Sequence, residues 1–172
     1  DTAAVIIGDE EIVDKLCAGI TEFVVKLTSL QISDQEHEYT ARLMQILTDI
    51  ERTSDYCENI AEFAEELKDK KLKFSEEATE ELKEMLDICF DAFEYAMEAF
   101  KTGNKDLALR VLDDEVKADA LEAKLRTKHI KRLTNQTCNP EKGIIFLDVL
   151  VGLERISDHA RNIAEEVLEH MN

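Results

Sequence analysis

Apolar and polar residues alternate at helical spacing along almost the whole chain. In residues 3–31, Val5, Ile6, Ile12, Val13, Leu16, Ile20, Phe23, Val24 and Leu27 recur with a period near that of an α-helix. Ser33, followed three residues later by Glu36, is a capping box that opens a second helix reaching to about Lys71. Its last turns carry Lys68, Lys70 and Lys71, which suit the negative end of a helix dipole. Ser75 with Glu76 and Glu77 starts a third helix, rich in aromatics through Phe90, Phe93, Tyr95 and Phe100, and that run reads as core. Gly103 stops it, and Asn104 caps a fourth helix running to about Gln136. Asn139 as cap and Pro140 in the first turn open a fifth. The pattern predicts five long helices joined by short turns.

One stretch occurs twice. Glu-Arg-x-Ser-Asp-x-x-x-Asn-Ile-Ala-Glu spans Glu51 to Glu62 in the second helix and Glu154 to Glu165 in the fifth, 103 residues on. The fourth and fifth helices therefore repeat the first and second, and the third precedes the second pair. By the same logic a helix should precede the first pair, and the opening Asp1-Thr2 without an initiator Met suggests a chain cut from something longer. The expected fold is all-α: two tandem three-helix bundles, with the first helix of the first bundle absent. Residues 1–72 would form the first repeat and 73–172 the second. One Pro and five Gly in 172 residues fit a chain with so few interruptions.

Advancing about 100° per residue, Glu51, Asp55, Asn59 and Glu62 share one arc of the second helix. Leu43, Ile50, Cys57, Ala61 and Ala64 lie on the opposite side. A polar face on one helix is most often simply solvated. Register alters that reading, because the first helix carries Glu10-x-x-x-Asp14 and the fourth carries Glu115-x-x-x-Asp119. Residues 10 and 55 average to 32.5, as do 14 and 51; 115 and 158 average to 136.5, as do 119 and 154. Both midpoints fall on the turns, so each hairpin sets two carboxylate pairs level on neighbouring helices. Such carboxylates repel unless a cation separates them. Arg52, Arg126 and Arg155 are candidates, and so is a hard metal ion (magnesium, manganese, calcium or iron), for which oxygen donors are suited.

The net charge of −18 argues against nucleic acid or an anionic membrane surface as partner. No apolar run reaches the roughly 18 residues of a membrane span. Cys17, Cys57, Cys89 and Cys138 lack zinc spacing and read as reduced thiols in a cytosolic setting. His37, His129, His159 and His170 share no face, and none has a Glu three residues before it, which argues against a ferritin-like di-iron oxidase. His159, next to Asp158, is the one placed to support a metal ligand. The basic positions Lys117, Lys124, Arg126, Lys128, Lys131 and Arg132 read first as salt-bridging partners and second as a docking patch for an acidic partner. No nucleophile elbow, P-loop or GxGxxG is present, so a catalytic role is not expected.

The duplicated motif with its E-x-x-x-D partners resembles the PhoU family of phosphate-uptake regulators. The resemblance implies two three-helix bundles and metal ions, iron among them, held by Glu10, Asp14, Glu51, Asp55, Glu115, Asp119, Glu154 and Asp158. It also implies action at the cytoplasmic face of the membrane, restraining a phosphate transporter and the phosphate-starvation kinase, without enzymatic activity. Similar domains form cytoplasmic tails of bacterial sodium/phosphate cotransporters, and the truncated start favours that placement. The alternatives are a stand-alone PhoU-type regulator of a phosphate ABC transporter and its sensor kinase, or a structural oligomerisation module. Ser54 and Ser157 depart from the Gly often found there, and Tyr56 stands where His is frequent. The apolar groove left by an absent helix would be covered by a neighbouring chain, which implies a homo-oligomer.

Overall fold

The computed structural model describes residues 2–170. Five helices follow in order: α1 (Thr2–Thr28), α2 (Asp34–Asp69), α3 (Glu76–Thr102), α4 (Lys105–Thr134) and α5 (Pro140–His170). The caps are those the sequence indicates. Ser33 accepts from the Glu36 amide at 3.3 Å while its own amide donates to the Glu36 carboxylate at 2.7 Å. Ser75 accepts from Ala78, and Asn104 from Asp106 and Leu107. Gly103 ends α3 at φ 69°, where a side chain would be strained.

Three C-termini fall short of their expected positions. Lys71 and Gln136 adopt φ of 53° and 56°, so the chain reverses at each. The amides of Leu72 and Thr137 then reach back to the carbonyls of Leu67 and Arg132, closing α2 and α4 as Schellman turns. Helix α1 stops at Thr28, where the Thr28 and Ser29 hydroxyls take up the Val25 and Lys26 carbonyls.

Helices α3, α4 and α5 pack mutually as a three-helix bundle; α2 packs on α5, and among the described helices α1 packs on α2 alone. One core gathers Met85, Cys89, Leu125, Phe146, Leu150 and Leu153, with Tyr56, Ile60 and Phe63 of α2 closing over it. The other is finer-grained: Ala92, Ala96, Ala99, Ala108, Val111, Ala160 and Ala164, with Ile163 and Val167.

The aromatic run of α3 is not the core it was expected to be. Phe90 is 62 % exposed and Phe93, Tyr95 and Phe100 are only half-buried, while Ala92, Ala96 and Ala99 are sealed. Small residues win the seam because they let α3 approach α4 and α5 closely; the rings are displaced to its edges. Helix α1 departs further. Of its apolar positions only Cys17 and Val24 are buried, and Val5, Ile12, Leu16, Ile20 and Phe23 face outward. Ala64 of the expected α2 stripe is also exposed, whereas Ile46 and Leu47 are buried.

Candidate metal-binding carboxylate clusters

Both hairpins bring their carboxylates level. Oxygen atoms of Glu10, Asp14 and Asp55 lie within 4.8 Å of one another, and those of Glu115, Asp119 and Asp158 do the same. The 3.6-residue period stacks the two acids of each E-x-x-x-D motif one turn apart, and the hairpin register delivers the third from the neighbouring helix. Each set presents only oxygen donors, the chemistry of a site for a hard cation.

The remaining two candidates sit beside these triads. Glu51 is exposed and, with Asp14, Cys17, Leu47 and Thr48, lines an open groove of about 570 Å³ on α1 and α2. Its counterpart Glu154 is half-buried, close enough to Asp158, Asp119 and Glu122 to feel their charge. Glu154 also lies near the Cys89 thiol of α3, which burial and that carboxylate together push up to about 12. Helix α3 thus covers Glu154, and none of the described helices covers Glu51 in the same way.

Two carboxyls are held above their ordinary value. Partial desolvation and the charges of Asp14, Glu58 and Asp55 raise Glu10; burial, then Asp158, Asp119 and Glu122, raise Glu154 against the opposing pull of Arg155. The cationic neighbours differ between the hairpins. Arg52 approaches Asp55 at 3.7 Å in the first. In the second, Arg155 donates to Asp158 at 2.9 Å and Arg161 to Glu115 at 2.8 Å. Arg126, a candidate neutraliser, instead pairs with Glu122. Lys128 and Arg132 of the basic stretch bind Glu77 and Glu81 of α3, and Lys117 binds Asp114, as salt-bridging partners do. His129 is buried, stacked on Phe146 at 4.2 Å, and burial lowers its pKa.

One element of the site is absent from the motif pattern. Asp49 of α2, 1 % exposed, accepts from His159 Nδ1 at 2.8 Å and from Asn162 Nδ2 at 2.9 Å across the α2–α5 seam. His159 also stacks on Tyr56. The motif's second Asn therefore ties the two repeats together rather than joining a carboxylate triad. The repeat-equivalent of Asp49 is Gly152, which lies against Tyr56 and Ile60. A buried carboxylate in one copy of the repeat is thus replaced by a glycine in the other. The alignment of the repeats carries that signal, since Gly152 is where the two copies exchange a charged residue for none.

The fold and its clusters define a class: a tandem helical-bundle protein bearing one acidic triad per repeat. The chain matches the PhoU domain model over residues 1–64 and 82–167, and it belongs to that family. It is 32 % identical over 130 residues to a Thermotoga maritima phosphate-specific transport system accessory protein PhoU homolog, covering 76 % of this chain and 55 % of that protein. It is 23 % identical to the Salmonella typhimurium protein YjbB, named for inorganic phosphate export, covering 91 % of this chain and 29 % of that protein. The crystal structure of PhoU from Pseudomonas aeruginosa superposes with a TM-score of 0.90 at 22 % identity, covering 96 % of this chain and 79 % of that one. The chain thus spans about half the length of its Thermotoga relative.

Proposed function

We propose that this chain is an accessory, regulatory domain of a phosphate transport system, acting through cations held at its carboxylate clusters. The observation that carries the reading is the duplicated triad, formed twice at the same level of two repeated hairpins. The Thermotoga relative is an accessory protein, and it is both more similar and more fully covered than the export protein. A stand-alone PhoU-type regulator of a phosphate transporter and its sensor kinase is therefore favoured over a sodium/phosphate cotransporter tail. No described helix is long and apolar enough to cross a membrane, and the proposed place of action is the cytoplasmic face, beside a transporter.

Glu10, Asp14 and Asp55 would hold one ion, with Glu51 at its margin; Glu115, Asp119 and Asp158 would hold another, with Glu154 at its margin. Magnesium, manganese, calcium and iron all accept such oxygen donors. A bound cation would relieve the carboxylate repulsion that adds to desolvation in raising Glu10 and Glu154. Asp14 and Asp119 are exposed, and catalytic metals usually sit in a dry cavity, so sensing or docking fits the position better than turnover. The outward apolar face of α1 would be covered by a neighbouring copy, and sedimentation as a monomer at micromolar concentration would remove that part of the reading.

The functional test is phosphate uptake by cells carrying wild type or Asp14→Asn/Asp55→Asn, at low and high external phosphate. Altered repression of uptake at high phosphate is expected. Identical uptake under both conditions, with metal demonstrably lost from the purified variant, would leave the clusters without a regulatory role.

A further inference from the structure

We propose that the two clusters are unequal cation sites: the α4/α5 cluster carries its own built-in cation, Arg161, so a divalent ion loads the α1/α2 cluster first and enters the other only by displacing that guanidinium. The inference deepens the cation reading above and rests on it.

The repeat makes the comparison direct. Within the shared motif the three positions between the Asp and the Asn are free to differ, and the last of them is Glu58 in α2 and Arg161 in α5. Arg161 reaches across to α4, where Nη1 donates to Glu115 Oε1 at 2.8 Å while Nε donates to Glu165 Oε1 at 2.8 Å. Glu115 is 5 % exposed, so its carboxylate is shielded from solvent, while the Arg161 guanidinium remains half-exposed. Asp158 is taken by Arg155 from its own helix. Two of the three α4/α5 ligands are therefore already satisfied by guanidinium groups.

The first cluster has the opposite balance. Glu58 stands where Arg161 would be and adds its charge to that felt by Glu10. The triad of Glu10, Asp14 and Asp55 has Glu51 beside Asp14 and the charge of Glu58 acting on Glu10, and Arg52 approaches Asp55 only at 3.7 Å. Among the described residues, an entering cation here displaces no cross-helix ion pair. In the second cluster it must break a pair whose charge-assisted hydrogen bond is among the stronger kinds.

The experiment titrates the full chain with Mn²⁺, reading free ion by electron paramagnetic resonance. Wild type should show one tight class of site and a second at least about tenfold weaker, the equivalent of one such bond. Asp55→Asn should remove the tight class and Asp158→Asn the weak one. Arg161→Gln should tighten the weak class toward the first without moving the tight one, whereas Arg161→Lys should keep the gap. Glu58→Arg should weaken the tight class, which keeps the test decisive if Arg161→Gln fails to fold. Two classes of equal affinity, or a weak class unmoved by Arg161→Gln, would overturn this inference and leave the cation reading standing. An absence of Mn²⁺ binding up to millimolar ion would overturn both.

Discussion

The α1/α2 hairpin and the α4/α5 hairpin share a motif, a register and an acidic triad, yet they sit in different surroundings. Helix α3 seals the second pair. Leu121 on α4 is 7 % exposed, while Leu16, at the matching position on α1, is 59 % exposed. Glu154 is half-buried below α3, and Glu51 opens onto a groove. The repeated residues decide where the carboxylates stand; the unrepeated ones decide what each cluster contends with. Leu, Glu and Asp at fixed spacing set the geometry, and Glu58 against Arg161, Tyr56 against His159 and Asp49 against Gly152 set the chemistry.

The largest contrast should appear in packing. Leu121→Ala is expected to cost about 3–4 kcal/mol and Leu16→Ala under about 1 kcal/mol, because only the first leaves a cavity. Denaturant unfolding of both variants checks this, and equal losses would mean that α1 is covered in solution much as α4 is. Next comes the seam. Asp49→Ala should cost about 2–3 kcal/mol by leaving His159 and Asn162 without an acceptor in a buried place. Its repeat-equivalent, Gly152→Ala, should stabilise by about 0.5–1 kcal/mol, since Ala is the better helix former. The new Cβ would meet Ile60 at 3.5 Å, an ordinary contact. A destabilising Gly152→Ala would show that the seam requires closer approach.

The pH response should be smaller. Glu10 and Glu154 lie above the ordinary 4.5, so their stabilising contribution is full below that value and is lost as pH rises through the folded-state values. Glu36 and Glu77, lowered by hydrogen bonds from Ser33 and Lys128, contribute above 4.5 and lose that contribution as pH falls through their lowered values. In chelator, these two carboxyls are therefore expected to push the melting temperature up as pH falls from 7 toward 5, against the opposite pull of His129, whose burial-lowered pKa costs stability as pH falls below 6.5. Glu10→Gln combined with Glu154→Gln should flatten the climb.

Much of this was legible along the chain because it is local. Caps at Ser33, Ser75, Asn104 and Asn139 fix helix starts from a few neighbouring residues, and the level carboxylates follow from helix period plus turn position. What was not legible depends on distant packing. Asp49 looks like any acidic residue on a mixed helix until α5 brings His159 and Asn162 to it. Phe90 carries a core residue's hydrophobicity, but the close α3 seam admits alanines instead. The apolar positions of α1 obey helical spacing, although only α2 packs against them. Arg161 occupies a variable position of the motif, so its reach to Glu115 appears only once α4 and α5 are set side by side.

The central claim, that the clusters are cation sites rather than structural ion-pair networks, is tested most directly by the stability of Asp55→Asn with and without metal. In chelator, removing one of several mutually repelling carboxylates should leave the protein as stable as wild type or more so. With Mn²⁺ at a hundredfold excess over its dissociation constant, wild type should gain about 2.7 kcal/mol that the variant lacks. Equal destabilisation of Asp55→Asn in chelator and in Mn²⁺ would make Asp55 an ordinary structural partner of Arg52 and contradict the account.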